Sequence, residues 1–321
     1  MKYDIYFHND FDGRASAAVM LNFLERRGDA IERYIPVEHG IPWIEKKLAP
    51  SPKRNPAIVV DFPYHPEAKF WFDHHETAFK KEEWRRKFRQ TKPQSRTSSL
   101  RGRFHHWDPK APSCCGQIVK ALQKSFGYKP PRHIVELAKR LDITDSASYR
   151  SARQAIEKKE PAFQIEQFVD EMKGKDALVW LINALSKKPL AVVAKMPEIQ
   201  RSTNAFRKRQ KAILAFYRKE LCIHGAFGFI DISRSGSESR FMPYYLYPSI
   251  RYALTLKKGN TENFRLSFSA SSWRRKENKM HIGRFMRDNF GGGGHHDAGG
   301  AEFKSRALAE KAAEKIIGRF A

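Results

Sequence analysis

The chain has 321 residues, with 60 Lys and Arg against 35 Asp and Glu, a net charge of +25, 41% hydrophobic residues and 12% aromatic ones. That apolar content excludes a wholly disordered chain, no apolar run approaches the ~18 residues of a membrane span, and Cys114, Cys115 and Cys222, without a C-x-x-C, exclude a disulfide framework. The length fits about two domains, the charge favours polyanionic partners such as nucleic acid, polyphosphate or phosphorylated metabolites, and entry into a strand-like run without a leader gives the expectation of a soluble, cytoplasmic protein with no membrane partner.

Tyr3 to Phe7 reads as a strand that runs into the polar turn His8 to Gly13. Ala15, Ala18, Val19, Asn22 and Phe23 share one face of a helix that stops near Gly28. Arg33 to Val37, Ala57 to Val60 and Lys69 to Phe72 read as further strands. Strand and helix alternate, which predicts a largely parallel sheet with helices on both faces, whose ligands bind at the carboxyl ends of the strands. Residues 79–110 hold eleven Lys and Arg against Glu82, Glu83 and Asp108, and read as a basic excursion or flexible loop over the site. Helical character resumes at Ser113, a plausible N-cap, and continues through His133–Leu141, Ile156–Met172 and Ala177–Leu185. Phe206, Ile213, Leu214, Tyr217 and Leu221 mark a long basic connecting helix. Beyond Ile223 come the strand-like runs 226–232, 252–256 and 264–268, a helix over 282–289, four glycines and a terminal helix over 307–320.

Five motifs carry chemistry. In His8-x-Asp10-x-Asp12-Gly13, alternate positions leaving a strand point the same way, so an imidazole and a carboxylate can share a cation. Asp61 ends one apolar strand and Asp73-His74-His75 ends another; Asp142-Ile143-Thr144-Asp145-Ser146 follows a helix. Each alone has an ordinary reading as a turn or a cap. Together they supply oxygen and nitrogen ligands of the kind that suits Mn²⁺ or a similar ion, in sufficient number for two metals about 3.5–4 Å apart that clamp an in-line phosphoryl displacement. The fifth motif, Gly291 to Gly300 with the sequence GGGGHHDAGG, lets backbone N–H groups converge on an anion, with His295 as a directed donor.

In this order the five motifs resemble the DHH phosphoesterases, which include RecJ-type exonucleases, nanoRNase/pAp-phosphatases, cyclic dinucleotide phosphodiesterases, exopolyphosphatases and family II pyrophosphatases. The resemblance spans essentially the whole chain. It implies a doubly wound, mainly parallel α/β catalytic domain over 1–195, a connecting helix over 196–222, and a smaller α/β DHH-associated domain over 223–321. It also implies two Mn²⁺ ions, with Mg²⁺ as the other candidate. His8 and Asp10 would bind one metal and Asp12 the other, Asp61 would bridge them, and His74 and Asp145 would complete the second site. Asp142 also matches the fourth motif; Asp145 is preferred because a small hydroxyl residue follows it directly. Asp73 would orient its neighbours and His75 would approach the scissile phosphate. Gly292, Gly293, Gly294 and His295 would hold the substrate, and Arg274, beside Trp273 and Arg275, lies where a substrate-binding Arg is expected, although a solvated surface charge is the other reading. The expected activity is metal-dependent hydrolysis of short single-stranded oligonucleotides or small nucleotides by a metal-activated water. A polyphosphatase or pyrophosphatase and a non-catalytic nucleic-acid-binding protein remain the alternatives, and a homodimer is one assembly open to the chain.

Overall fold

Tyr3 to Phe7 are buried on both faces, as a strand covered on both sides requires. They form the heart of β1 (Lys2–His8) in this computed structural model, which describes residues 1–38, 41–90, 102–172, 178–234, 238–259 and 263–320. The chain continues through α1 (Phe11–Glu25), β2 (Ala30–Val37), α2 (Ile41–Glu45), β3 (Ala57–Val60), β4 (Phe70–Asp73), α3 (Glu82–Gln90) and β5 (Phe104–Trp107). Helices follow: α4 (Cys114–Phe126), α5 (Arg132–Asp145), α6 (Ala152–Glu157), α7 (Pro161–Glu171), α8 (Val179–Lys187), α9 (Leu190–Val193) and α10 (Pro197–Glu220). The last part holds β6 (Cys222–His224), β7 (Phe227–Asp231), α11 (Met242–Leu246), β8 (Tyr252–Lys258), β9 (Phe264–Ala270), α12 (Ile282–Phe290), β10 (Gly293–Gly294), β11 (Ala298–Phe303) and α13 (Arg306–Phe320).

The first sheet has the order β2-β1-β3-β4-β5, and every pair is parallel. The chain leaves β1 for β2 on one side and returns to β3 on the other, so the order reverses between β1 and β3. Ligands bind at the carboxyl ends of strands beside such a reversal. Small and apolar residues run all round α1, from Ala15 to Leu24, and only Glu25 at its end is exposed, as befits a helix enclosed by other helices and the sheet. The opposite face of the sheet carries Tyr6, Val59 and Trp71, covered by Trp43, Tyr64 and Trp84.

The stretch 79–110 is a correction to the sequence reading. Glu82–Gln90 is a helix that buries Trp84 in this aromatic layer, and Phe104–Trp107 is the edge strand of the sheet. High charge density hid one buried aromatic face; residues 91–101 of the stretch lie outside those described. The run Ile156–Met172 is likewise two helices, separated by Lys158 in the left-handed region (φ 41°) and by Pro161 at the start of α7.

The chain forms two units, residues 1–148 with 159–203 and residues 149–158 with 204–321. The boundary falls within α10. Segment 149–158 belongs to the second unit, where Ile156 joins Tyr217, Leu221, Ile230 and Met242 in one core. The second sheet has the order β10-β11-β9-β8-β7-β6, antiparallel except for the parallel pair β7–β8. Phe227, Leu254, Leu266 and Phe268 of this sheet bury themselves against Ile282 and Met286 of α12 and Ile316 of α13. Among the described residues no helix is long and apolar enough to cross a membrane.

Candidate metal centre

At the end of β1 the chain turns sharply into α1. Asp10 caps that helix, accepting the Gly13 N–H at 2.9 Å. Position 13 must be glycine, because a Cβ there would lie 2.1 Å from the His8 carbonyl oxygen. The tight turn brings His8 Nδ1 to 2.6 Å from Asp10 Oδ2. Arg14 is fully buried beneath it and donates to the Asp10 carbonyl at 3.1 Å and to the Asn9 side-chain oxygen, pinning the turn from below.

Asp12 is buried and accepts two backbone N–H groups at the start of α4, from Cys114 at 2.6 Å and Cys115 at 3.0 Å. A helix N-terminus suits a carboxylate for that reason. Asp61 follows β3 in the left-handed region (φ 54°), held there as its N–H donates to the Phe72 carbonyl at 2.9 Å. Its carboxylate sits at the middle of the cluster: Oδ2 is 3.7 Å from His8 Nδ1, and Oδ1 is 3.6 Å from His74 Nε2 and 3.8 Å from His75 Nδ1.

His74 Nδ1 lies 3.0 Å from the Ala111 carbonyl. A carbonyl only accepts, so Nδ1 carries the proton and the Nε2 lone pair faces the cluster, the orientation a metal-binding imidazole needs. That Nε2 is 3.3 Å from Asp145 Oδ2 and 3.8 Å from Asp12 Oδ2. Asp142, three residues earlier on α5, instead accepts the Ser113 hydroxyl at 2.6 Å. Asp73 is fully buried; its Oδ1 accepts from His75 Nδ1 at 2.7 Å and from the His75 backbone N–H at 3.2 Å. The Asp73 bond raises the pKa of His75 against the opposing pull of burial.

The ligand atoms of His8, Asp10 and Asp61 lie within 4.8 Å of one another, as do those of Asp12, His74 and Asp145, and those of Asp61, His74 and His75. Asp61 belongs to two of these sets. Asp61 Oδ1 and His74 Nε2 are buried, face each other and have no hydrogen-bond partner. Burial first, then neighbouring carboxylates, pushes Asp12 and Asp61 well above the usual carboxylate range, and burial raises Asp145 as well. Orphaned lone pairs among mutually repelling carboxylates fit a divalent cation, which would neutralise the charge and take the lone pairs. Oxygen-rich sets with imidazole suit Mn²⁺ or Mg²⁺.

The other expected site residues lie in the second unit. Gly293 and Gly294 form β10, paired with β11. A Cβ at Gly294 (φ 142°) would meet the Ala298 carbonyl oxygen at 2.3 Å, and one at Gly292 the Gly300 carbonyl oxygen at 2.0 Å. These glycines are therefore required by hairpin packing, whereas Gly293 faces open space. His295 is exposed at the tip, its backbone N–H donating to Ala298 at 2.7 Å. Arg274 makes two bonds to Glu277, at 2.9 and 3.0 Å, and a longer one to the Pro248 carbonyl.

Several groups that shape the centre escaped the sequence reading. The Cys114 and Cys115 N–H groups and the Ala111 carbonyl belong to the backbone and leave no side-chain signature. Trp107, whose indole N–H holds the His75 carbonyl at 2.9 Å, lay inside the stretch read as a loop. Arg14 was passed over within a helix; a lone charge in an apolar run was the signal available.

No family model and no curated protein matches the chain. Solved structures do. A pGpG-specific phosphodiesterase, PggH from Vibrio cholerae, superposes with a TM-score of 0.73 at 18% identity, over 99% of this chain and 98% of that one. An exopolyphosphatase-related protein from Bacteroides fragilis gives 0.50 at 14% identity, over 100% and 92%. RecJ from Thermus thermophilus, in complex with Mn²⁺, gives 0.50 at 14% identity, over all of this chain and 52% of that one.

Proposed function

We propose that this chain, whose fold is that of the DHH phosphoesterases, is a divalent-metal-dependent phosphoesterase acting on short single-stranded oligonucleotides or small nucleotides. The observation that carries the reading is the gathering of three ligand sets, two of them sharing Asp61 and two sharing His74, around the buried, partnerless Asp61 Oδ1 and His74 Nε2. Its neighbours in fold include a pGpG phosphodiesterase and a Mn²⁺-bound RecJ. His8, Asp10 and Asp61 would hold one ion, and Asp12, His74 and Asp145 the other, with Asp61 shared; Mn²⁺ is the first candidate and Mg²⁺ the second. When bound, such a pair lowers the pKa of a water and offsets charge on the phosphoryl oxygens.

The chain's own residues supply the rest. Ala111 and Cys114 hold His74 and Asp12 in place before any ion arrives, so the ligand geometry is set in advance. Asp73 fixes the ring of His75 and favours its protonated form, making it a donor to a phosphate oxygen. Water adds to phosphorus as the ester P–O bond breaks and the leaving oxygen takes a proton. In the second unit, Gly293 and His295 would grip a phosphate or terminal nucleotide.

The test is incubation with Mn²⁺ and a panel of labelled dinucleotides, pAp, cyclic dinucleotides, polyphosphate and longer single strands. Cleavage of dinucleotides and short strands is expected. Preference for polyphosphate would move the reading to a phosphoanhydride hydrolase, and a protein that retains two ions yet cleaves nothing would make it a binding protein.

A further inference from the structure

At the end of the second unit where α12 begins and α13 finishes lies an open groove of ≈ 640 Å³. Its floor is aromatic. Tyr252, Phe285 and Phe320 are half-buried, with Phe320 centred 5.7 Å from Tyr252 and 5.4 Å from Phe285. Its rim is cationic. Lys279, Arg284 and Arg319 are exposed, and among the described residues none of them has a carboxylate within ion-pair distance. Arg319 instead lies over the Phe285 and Phe320 rings, at 5.3 and 5.7 Å. Asp288, the one acidic group lining the groove, is paired with Arg287 at 2.9 Å.

The groove adjoins the Gly-rich turn. His281, in its wall, has its ring 5.3 Å from that of His296, and the N–H groups of Ile282 and Gly283 each donate at 2.8 Å to the carbonyls of His296 and His295. A ligand held at the turn would therefore find rings and unpaired cations immediately beside it.

Half-buried aromatic faces ringed by cations that have no carboxylate to neutralise them match a chain of bases and phosphates. Every base has a π-face to stack, and each phosphate carries a charge to neutralise. A polyphosphate would use the cations but gain nothing from the rings, and an apolar partner would leave the cations desolvated.

We propose that this groove binds single-stranded nucleic acid beyond the nucleotide gripped at the Gly-rich turn, with bases on Phe285 and its neighbours and phosphates on Lys279, Arg284 and Arg319. The proposal rests on the phosphoesterase reading for its direction, since it makes the substrate a strand rather than a dinucleotide alone.

The test measures anisotropy of a labelled phosphorothioate strand of about twelve nucleotides on the full chain, beside hydrolysis of a dinucleotide. Combining Lys279→Glu, Arg284→Glu and Arg319→Glu should weaken strand binding at least tenfold and lower the log–log salt slope by about 2, as three phosphate contacts at ~0.7 each require. Dinucleotide turnover should hold. Phe285→Leu keeps the volume but removes the ring, and should cut the preference for a base-bearing strand over an abasic one by about tenfold. Unchanged strand affinity and slope in the triple variant would overturn the proposal. So would equal loss of dinucleotide turnover, or a shift from dimer to monomer with strand binding intact, which would make the surface a contact between copies. A wild-type chain that cleaves no phosphoester but whose strand binding responds to these variants would sink the hydrolase reading and leave the groove standing.

Discussion

The two units divide the chemistry of charge between them. The first carries 34 Lys and Arg against 24 Asp and Glu; the second carries 26 against 11. In the first, the acidic groups that matter are taken out of water and brought together at strand ends: Asp12, Asp61 and Asp73 are 2% exposed or less. In the second, the groups that matter stand in water: His295, Lys279, Arg284 and Arg319 are exposed. Burial makes the acidic cluster costly unless a cation fills it, whereas exposure leaves the cations ready for an anion at little cost. On the proposed reading, one unit would attract metal and the other would attract phosphate.

The sharpest way to break that contrast is at Asp61. Asp61→Ala should abolish turnover and strip bound metal, a loss beyond the ~10–100-fold typical of an outer partner; metal analysis and a turnover assay read both. Asp145→Asn should behave similarly, while Asp142→Asn, which disturbs only the bond to Ser113, should stay within that outer-partner range. The reverse order would transfer the ligand role to Asp142. Next in size, His295→Ala should reduce kcat/KM on oligonucleotides on the order of 10²-fold by removing orientation. Its metal content, and its slow hydrolysis of bis-p-nitrophenyl phosphate, should survive. Loss of metal in this variant would erase the division between the units.

Smaller effects sharpen the comparison. Arg85, Arg86 and Arg89 lie on α3 of the first unit. Neutralising all three should lower the salt slope for long strands by at most about 2 without touching dinucleotide turnover; an unchanged slope would assign strand binding to the second unit alone. The smallest expected effect concerns stability. His105 Nε2 lies 2.9 Å from the Ala68 carbonyl and so carries the proton, leaving the Nδ1 lone pair buried without a donor, and no acceptor for a second proton, between the Tyr64 and Trp71 rings. Burial pushes its pKa down to about 4 from 6.5. The unfolded chain therefore takes up this proton first as pH falls, and stability is lost between about pH 6.5 and 4, by on the order of 3 kcal/mol. His105→Gln should remove that share of the pH dependence. Tryptophan fluorescence reports it well, since Trp43, Trp71, Trp84, Trp107 and Trp180 all belong to the first unit. Parallel pH profiles for the two proteins would refute the assignment.

The parallel sheet was legible because β1, β3 and β4 are nearly continuous apolar runs, and because each ends in a polar cluster that has no place inside a sheet. The positions of His8, Asp61 and His74 followed from those ends. What stayed hidden was held by backbone or masked by charge. A sequence does not display an N–H aimed at Asp12 or a carbonyl aimed at His74. Trp84 and Phe88 lie on one face of α3, but eight charged residues from Lys80 to Arg89 obscured the period. The glycines of the hairpin were read as an anion cradle, and hairpin packing accounts for at least Gly292 and Gly294. Of the four consecutive glycines, Gly291 and Gly293 have open space, and Gly291 is spoken for as the left-handed cap of α12 (φ 66°). Segment 149–158 was invisible as part of the second unit because its contacts are made to residues far along the chain.

The acidic cluster gathers ligands from positions 8 to 12, 61, 74 and 145, so an ion held there would tie together segments separated by more than a hundred residues. It would act as a staple as well as a reagent. The unfolded chain offers no such site, so each tenfold rise of free metal above its dissociation constant would add about 1.4 kcal/mol to folding. Without an ion, the same cluster would be a knot of repelling, desolvated carboxylates, and local opening at the ends of β1 and β3 would relieve it. Metal supply would then govern how long the molecule survives proteases, and a starved cell would lose the protein itself along with its activity.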